Sequence, residues 1–583
     1  MKQFLKYTLA TIVGVLIASI IGIFIFFGML GSLLSPSETI TTLKPNSVYQ
    51  LDLNGSLVDR SKDNPFEFLA GKYGAQSSIG LDEILANIKK AKNNPNIAGI
   101  HLNCGSLSGG YASVKEIRDE LLDFKTSGKF IVAYADSYTQ KMYYLASVAD
   151  QILLNPIGSV GFHGISSTTT FYKNMLDKVG IEMQIVKVGE FKSAVEPYIN
   201  TKMSDASRKQ VTVYVNSIWN NLLTEISLSR GIAVGKLNAY ADELLDFSEA
   251  QKAVDYGFVD QLVYQSKVEE IINSYVEEAE KNKISFVKHT AMTNVPTNEK
   301  YNGTKLAVIY AVGGIDMSED EGIVSRKLIK TINKVAEDNN VKAVVLRVNS
   351  GGGSAYGSEQ IWHALTELKA KKTLIVSLGD YAASGGYYIA CMGEKIVAQP
   401  NTLTGSIGVF GQIPNFGALS KKVGIDYDVV NTNKLSEGIA IHRSFTPEER
   451  GIMQNYVNQT YKLFIQRCAD GRGMTTDQIK TIAEGRVWTG ENALEIGLVD
   501  ELGSLSRAIE LASESAGLDS YAVVEYPEKE DFMSTFLRGI SGDMESRFLK
   551  SKLGEHYNTF KNISNLENMN GIFALMPFNI EVR

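Results

Sequence analysis

The stretch "DNNVKAVVLRVNSGGGSAYGSEQI", residues 338–361, decides the fold because three structural signals follow one another within it. The β-branched run "AVVLRV" (343–348) predicts a buried strand, the glycines after it predict a turn, and "SEQIWHALTELKA" (358–370) predicts a helix. A second strand, "TLIVSL" (373–378), follows that helix. This alternation of strands and helices predicts an α/β fold with a parallel sheet and right-handed crossovers.

An earlier part of the chain repeats this pattern. "NNPNIAGIHLNCGSLSGGYASVKEI" (93–117) matches it at a constant offset of 244 residues, which places Leu102 opposite Leu346. The same offset places "KVGIEMQIV" (178–186) opposite "KVGIDYDVV" (422–430). One such match can arise by chance, but a register that holds over so many positions indicates a duplication. The body of the chain is therefore predicted to consist of two tandem α/β repeats.

An apolar run near the amino terminus predicts a membrane anchor. No charged residue occurs from 7 to 37, and "LATIVGVLIASIIGIFIFFGMLGSLL" (9–34) would form a helix of ~39 Å, against ~30 Å for the hydrocarbon layer. The run is too long for a secretory signal and lacks an A-x-A-like cleavage site. Because Lys2 and Lys6 precede it, the short tail is expected in the cytoplasm and the body outside the membrane.

The chain divides at the anchor and between the repeats. The polar stretch "TNVPTNEKYNGT" (293–304) is typical of a linker between the two repeats. The predicted divisions are a cytoplasmic tail 1–7, a transmembrane anchor 8–34, a first repeat 35–290, a linker 291–305, a second repeat 306–515 and a C-terminal tail 516–583. The C-terminal tail is charged, ends in the apolar "GIFALMPFNIEV" (571–582), and is expected to be partly helical. It carries no predicted function.

Charge and composition exclude several classes of protein. The net charge of −7 argues against a nucleic-acid binder, which normally carries a basic patch. The three cysteines are scattered and form no disulfide framework, and neither they nor the six histidines have metal-ligand spacing. We therefore expect no nucleic-acid partner, no metal and no cofactor.

A candidate nucleophile lies in "YAASGGYYIA" (381–390), where a strand is predicted to give way to a helix. Ser384 would stand at the helix start, and the glycines after it would let a substrate backbone approach closely. The copy in the first repeat, "SYTQKMYYLA" (137–146), has Gln140 at the equivalent position. Serine is also a common helix N-cap, so this motif alone does not establish a nucleophile.

The Gly-rich turn in "NSGGGSAYGSE" (349–359) follows the neighbouring strand. Free N–H groups in such a turn can stabilise a developing oxyanion, as an acyl-transfer site requires. The phosphate-binding patterns GxxxxGK[ST] and GxGxxG are missing. An ordinary turn remains the alternative.

A serine nucleophile needs a base, and His163 is a weak candidate. Lys192, in "VGEFKSAVEPY" (188–198), is opposite Ser436 in the second repeat, so each repeat holds one half of a possible serine–lysine pair. Keeping that amine neutral at pH 7 costs about 4–5 kcal/mol unless burial lowers the lysine pKa. Glu196 would then have to point elsewhere. The alternative is a solvated surface lysine.

These motifs resemble the signal peptide peptidase A family, also called protease IV, in its long, duplicated, membrane-anchored form. The resemblance covers nearly the whole chain and rests on "FKSAVEPY", "RVNSGGGS", "YAASGGYYIA" and "TGSIGVFG". It implies two repeats of the ClpP/crotonase type and a serine endopeptidase with a Ser–Lys dyad. The implied site comprises Ser384 as nucleophile, Lys192 as general base, Ser406 orienting the amine, and the N–H groups of Gly352 or Gly353 and of Gly385 as oxyanion donors. The family more often reads S-P-G-G at 350–353.

The family also implies partners and a location. Its members degrade signal peptides left in the membrane, assemble as bowl-shaped homotetramers, and lie in the bacterial inner membrane with the catalytic body on the outer side. We expect an extended, apolar peptide to add as a strand beside "SIGVFG" (406–411). Two rival functions are a crotonase-like enzyme acting on acyl-coenzyme A, which would be indifferent to loss of Lys192, and a non-catalytic membrane scaffold.

Overall fold

The computed structural model describes scattered residues between 3 and 22, and then residues 41–61, 78–276, 284–296, 303–318, 321–529 and 571–576. Most of the predicted anchor, 8–34, lies outside the described residues. Within the described part of the chain, no helix has the length and apolar character needed to cross a membrane.

Strands and helices alternate along most of the chain. The strands are β1 (Ser47–Val58), β2 (Ser78–Gly80), β3 (Ile97–Ser108), β4 (Phe130–Ala135), β5 (Gln151–Leu154), β6 (Glu182–Lys187), β7 (Gln261–Leu262), β8 (Ser285–Lys288), β9 (Lys305–Val312), β10 (Val341–Ser350), β11 (Gly352–Ser354), β12 (Thr373–Ala383), β13 (Lys395–Ala398), β14 (Leu403–Gly405), β15 (Phe410–Asn415), β16 (Val487–Thr489), β17 (Glu501–Leu502), β18 (Ala522–Tyr526) and β19 (Gly571–Leu575). The helices are Leu81–Asn93, Tyr111–Lys125, Gln140–Ala146, Lys173–Val179, Glu196–Ile199, Asp205–Arg230, Val234–Ala241, Ala250–Asp255, Val268–Ser274, His289–Thr293, Ser325–Glu337, Ala355–Lys369, Gly385–Ala390, Gly417–Lys422, Pro447–Arg472, Thr476–Ile482, Gly490–Glu495 and Leu505–Ser515.

Two large sheets form the body, and together they confirm the predicted α/β fold. The first runs β2-β1-β3-β4-β5-β7 with β8 beside β1, and its strands are parallel. The second runs β16-β14-β12-β10-β9-β18, with β13 joining β12 to β17. All pairs of the second sheet are parallel except β14 with β16. Helices cover both faces, so β4 is buried along its whole length, as a two-sided parallel sheet requires.

A third, antiparallel sheet joins the two halves of the chain. Its order is β11-β19-β15-β6, and β6 belongs to the first repeat whereas β11 and β15 belong to the second. β6 pairs with β15 along its whole length, from Lys187 opposite Phe410 to Glu182 opposite Asn415. This pairing brings the chain that follows β6 directly onto the second repeat.

A buried ionic network also joins the repeats. Arg347, on β10, is 1% exposed, and its guanidinium lies 3.0 Å from an Asp59 oxygen and 2.6 Å from a Glu116 oxygen. It also donates a hydrogen bond to Ser377 at 2.9 Å. Both carboxylates come from the first repeat. Because the three charged groups are buried together, separating the repeats would expose or orphan each of them.

The chain differs from the sequence prediction near two boundaries. The helix His289–Thr293 extends into the predicted linker 291–305, because Met292 is buried in the core of the first repeat. The described residues of the predicted C-terminal tail, 516–529 and 571–576, include two strands: β18 pairs with β9, and β19 enters the third sheet. The rest of that tail, where a helix is expected, lies outside the described residues. Tyr526 of β18 and Phe573 and Ala574 of β19 are buried against the body of the protein.

Candidate active site

Ser384 occupies the junction between β12 and the helix Gly385–Ala390, as the sequence predicts. It has a φ of 55° and a ψ of −115°, a conformation that costs a residue other than glycine about 1–3 kcal/mol. Its hydroxyl does not cap the helix, so the N-cap alternative is wrong. The hydroxyl instead lies 3.5 Å from the Gly408 carbonyl oxygen, just before β15.

The glycines after Ser384 are required by close backbone approach. A Cβ at Gly386 would lie 2.3 Å from the Ser350 carbonyl oxygen, and one at Gly385 would lie 2.7 Å from the Ser358 hydroxyl. Any side chain at either position would therefore push the helix away from β10 and β11. Gly385 and Gly386 hold the serine turn against the Gly-rich segment.

Lys192 reaches the same place from the first repeat. It follows β6, and the neighbouring Phe191 N–H donates to the Glu484 carbonyl at 3.0 Å, which fixes the loop on the second repeat. Lys192 is fully buried. A Cβ at Gly485 would lie 2.7 Å from Lys192 Cα, and one at Gly408 would lie 3.2 Å from its Cδ. These two glycines make the space for the lysine.

The Lys192 amine is within hydrogen-bond reach of two serines. Nζ lies 2.7 Å from Ser384 Oγ, 2.9 Å from the Ser406 carbonyl oxygen and 3.0 Å from Ser406 Oγ. A neutral amine has two N–H donors and one lone pair, so it can donate both hydrogens to Ser406 and accept the Ser384 hydroxyl proton. Ser406 adopts a φ of 49°, and this turn places both of its oxygens on the amine.

Burial lowers the pKa of Lys192 far below its ordinary value, because desolvation penalises the ammonium form. Glu196, which could have stabilised that ammonium, points elsewhere. Its carboxylate accepts from the Ser204 N–H at 3.0 Å and from the Ser204 hydroxyl at 2.6 Å. The site therefore favours the neutral amine that the sequence argument requires.

The three predicted oxyanion donors, Gly352, Gly353 and Gly385, lie close to one another beside the serine turn. The Gly352 N–H donates to the Ser350 hydroxyl at 3.1 Å, so this amide is already used. Only glycine fits at this position, because its φ is 99° and a Cβ there would lie 2.6 Å from the Gly385 nitrogen. Gly353 is the next residue, and Gly385 is the first residue of a helix, where the N–H has no acceptor within the helix. The geometry favours Gly353 and Gly385 over Gly352.

The equivalent place in the first repeat is closed by Gln140. Its side chain accepts from the N–H of His163 at 3.0 Å and of Gly164 at 3.1 Å, and donates to the Tyr111 hydroxyl at 2.9 Å. His163 thus belongs to this separate turn and supplies its backbone, not its imidazole. The site at Ser384 thus holds a hydroxyl and the Lys192 amine, whereas the equivalent position in the first repeat holds the amide of Gln140.

Comparison with known proteins identifies the family of this chain. The family model of peptidase family S49 matches residues 123–281 and 366–519, one segment in each repeat. The chain belongs to peptidase family S49. This S49 member is a serine protease. The two alternative functions, a crotonase-like acyl-coenzyme A enzyme and a non-catalytic membrane scaffold, are therefore wrong.

Three relatives of this S49 protease match it over most of their length. Protease 4 of Salmonella typhi is 35% identical over 516 residues, which are 85% of this chain and 82% of that protein. Protease 4 of Haemophilus influenzae is 33% identical, covering 82% of this chain and 81% of that protein. The chloroplastic serine protease SPPA of Arabidopsis thaliana is 30% identical, covering 88% and 76%.

A mutant ClpP1 from Listeria monocytogenes is one solved structure that this S49 protease resembles. The match has a TM-score of 0.24 and 14% sequence identity, and it covers 35% of this chain and 94% of that one.

Proposed function

We propose that the protein is a membrane-anchored endopeptidase that uses Ser384 and Lys192 as a catalytic dyad to degrade cleaved signal peptides. One observation carries this proposal: Lys192 Nζ lies 2.7 Å from Ser384 Oγ in a buried place that lowers the lysine pKa. Each repeat is assigned to the ClpP/crotonase type, with the lysine from the first and the serine from the second.

In the proposed mechanism the neutral Lys192 amine takes the Ser384 proton while the hydroxyl oxygen attacks the scissile carbonyl. Ser406 holds the amine in position through its two oxygens. The N–H groups of Gly353 and Gly385 stabilise the tetrahedral oxyanion. The lysine then protonates the leaving amine, and water, activated by the same amine, hydrolyses the acyl-enzyme.

The substrate class follows from the third sheet. β11 and β15 flank the site with β19 between them, and an extended peptide that takes the place of β19 would pair with both through main-chain hydrogen bonds, which give affinity without a required sequence. The predicted strand "SIGVFG" forms only in part, because Ser406 turns towards Lys192 and the ladder starts at Phe410. Apolar side chains line this cleft, among them Val195 and Phe410. Such a cleft suits the apolar core of a signal peptide.

The anchor places the enzyme beside that substrate. We assign residues 8–34 to a single span of the bacterial inner membrane, with residues 1–7 in the cytoplasm and the catalytic body on the outer side. The support is the uncharged run and the two lysines that precede it. Signal peptides are left in this membrane after cleavage, so substrate and enzyme would share one surface.

Peptide hydrolysis over a range of pH tests the proposal. The full chain in detergent should cleave a fluorogenic peptide built on an apolar signal-peptide core, and Ser384→Ala should not. Because Lys192 must be neutral and burial lowers its pKa, kcat/KM should reach its plateau well below pH ~10.4 and fall about tenfold per pH unit on the acid side of that pKa. A rate that climbs until pH ~10.4, the value of a solvated lysine, would contradict the assigned base.

The duplication also supports assembly with further copies of the chain. β6 of the first repeat pairs with β15 of the second. The second-repeat counterpart of β6, 426–431, is exposed and belongs to none of the sheets formed by the described residues. "GSVG" (158–161) aligns with "GSIG" (405–408) at an offset of 247, so the first-repeat counterpart of β15 is 163–168, which likewise stands outside these sheets. We assign the two to a head-to-tail pairing between neighbouring chains, which closes into a homotetramer.

A charge placed in this segment should break the assembly. Val430 is 97% exposed, and Val430→Asp would bury a carboxylate in the interchain ladder, which weakens association by on the order of 100-fold or more. Light scattering should show a multimer for the parent chain and monomers for the variant. Leu228→Asp, at an 81% exposed leucine on the helix Asp205–Arg230, is the matched control and should stay multimeric. Monomers in the parent chain would overturn the assignment.

A further inference from the structure

Gln210 holds the two residues that flank Lys192. It lies on the helix Asp205–Arg230 and is 1% exposed. Its side-chain nitrogen donates to the Phe191 carbonyl at 3.0 Å and to the Ser193 hydroxyl at 2.9 Å. Because the amide nitrogen carries two hydrogens, it can make both bonds at once. One buried side chain therefore fixes the residue before the lysine and the residue after it.

Lys192 is the central residue of an inverse γ-turn. Its φ is −74° and its ψ is 76°, and the Ser193 N–H donates to the Phe191 carbonyl at 2.8 Å, across the lysine. The N–H of the lysine itself lies 3.4 Å from the Gly189 carbonyl oxygen, a long hydrogen bond that holds the turn weakly. A three-residue turn with so few bonds of its own takes its direction from outside contacts. The Gln210 amide supplies one of them, at the same carbonyl that closes the turn.

The other end of the Gln210 amide contacts the second repeat. Its oxygen accepts from the Val487 N–H at 3.1 Å. Val487 is opposite Gly405 in the ladder between β14 and β16, and Gly405 precedes Ser406, whose two oxygens lie on the lysine amine. Gln210 thus connects the turn that carries the base with the ladder that carries its orienting serine.

The chemistry of an amide suits all three contacts. The Phe191 carbonyl needs a donor and the Val487 N–H needs an acceptor, which also fixes the orientation of the amide. A carboxylate in its place would supply no donor, and its charge beside the turn would stabilise the ammonium form of Lys192. The uncharged amide holds the turn without opposing the effect of burial, which lowers the lysine pKa.

We propose that Gln210 is a positioning residue that holds Lys192 against Ser384 by fixing the turn around the lysine, an inference that rests on the proposed function. Its bonds go to the neighbours of the lysine, while the amine and the Ser384 hydroxyl lie 2.7 Å apart. Without Gln210 the turn gains freedom, so the amine spends less time at that distance and more time in contact with water. The first change slows proton transfer, and the second favours the ammonium form.

Gln210→Met tests this role, because it keeps the length of the side chain and removes all three hydrogen bonds. With the full chain in detergent and the fluorogenic signal peptide, kcat should fall about 100-fold while KM stays within about twofold. The midpoint of the acid limb of kcat/KM should move to higher pH by about one unit or more, because a less confined amine is better hydrated. This midpoint does not depend on how much of the preparation is folded, so a low yield does not imitate the shift.

Ser193→Ala tests the same contact from the other side. The Ser193 hydroxyl is buried and accepts from Gln210, so the variant removes one hydrogen bond at the loss of a single oxygen. The midpoint should move in the same direction as in Gln210→Met, by a smaller amount. If Gln210→Met does not fold, Ser193→Ala alone decides.

Gln399→Met is the matched control. Gln399 is also 1% exposed, and its side chain also joins the repeats, since it donates to Asp119 at 3.0 Å. Loss of this buried bond should lower the melting temperature but leave kcat and the pH midpoint at the parent values.

The parent chain, assayed in parallel, separates two failures. Parent midpoints in the Gln210 and Ser193 variants, with the parent chain active, would overturn the positioning role and leave the proposed function standing. An equal shift in Gln399→Met would show a general effect of lost buried bonds and would also overturn the role. A parent chain that does not hydrolyse the peptide would overturn the proposed function as well.

Discussion

Replacement of Ser384 by alanine is expected to lower kcat/KM for the signal-peptide substrate by about 10³–10⁶-fold, and Lys192→Met should cost about as much. The serine supplies the attacking oxygen and the lysine supplies the lone pair that removes its proton, across 2.7 Å. Because the two groups act as one unit, the double variant should be no slower than either single variant. Hydrolysis of the fluorogenic peptide under single-turnover conditions measures the rate that each single variant and the double variant retain.

The control for the lysine is Lys202→Met, an exposed lysine in the same repeat, which should retain the parent rate. Folding is controlled by thermal unfolding. Lys192 has a folded pKa below its unfolded value, so the unfolded state binds more protons between the two and the parent chain gains stability as pH rises through that window. Lys192→Met should therefore be more stable than the parent at pH 7, and this advantage should fade above pH ~10.4. An unstable Lys192→Met chain, or one that still turns over, would contradict the assigned role.

The duplication explains why half of this site was predictable from the sequence. A constant offset revealed that Ser384 has Gln140 as its copy and Lys192 has Ser436, so each repeat lacked what the other held. The order of residues along the chain does not show that the Lys192 amine and the Ser384 hydroxyl lie together. That depends on β6 pairing with β15 of the other repeat, a long-range antiparallel register with no local signal.

Other parts of the site had no sequence signal of their own. Gly485 matters only because Lys192 packs against it, and a lone glycine in "AEGR" is indistinguishable from an ordinary turn glycine. The use of the Gly352 N–H by the Ser350 hydroxyl depends on one side-chain rotamer. β19 was expected in a partly helical tail, and its strand conformation comes from the two edges it pairs with rather than from its own composition.

Arg347→Ala should strongly destabilise the body of the protein. It leaves Asp59 and Glu116 buried without their cation, and the loss of one partner from such a network costs about 3–5 kcal/mol. Chemical unfolding of the full chain in detergent measures the change. Lys480→Ala, which removes an ion pair whose side chains are 55% and 87% exposed, is the control and should cost at most about 1 kcal/mol.

The defect should depend on pH in a defined direction. Burial raises the pKa of Glu116, and without Arg347 that carboxyl accepts a proton more readily still. The folded variant then binds more protons than its unfolded chain above the ordinary glutamate range, so it loses stability as pH rises and its deficit should be larger at pH 8 than at pH 5. Peptidase activity should fall with the fraction unfolded, because Lys192 and Ser384 come from the two repeats that Arg347 joins. A variant as stable as the parent at pH 8 would show that the network does not hold the repeats together.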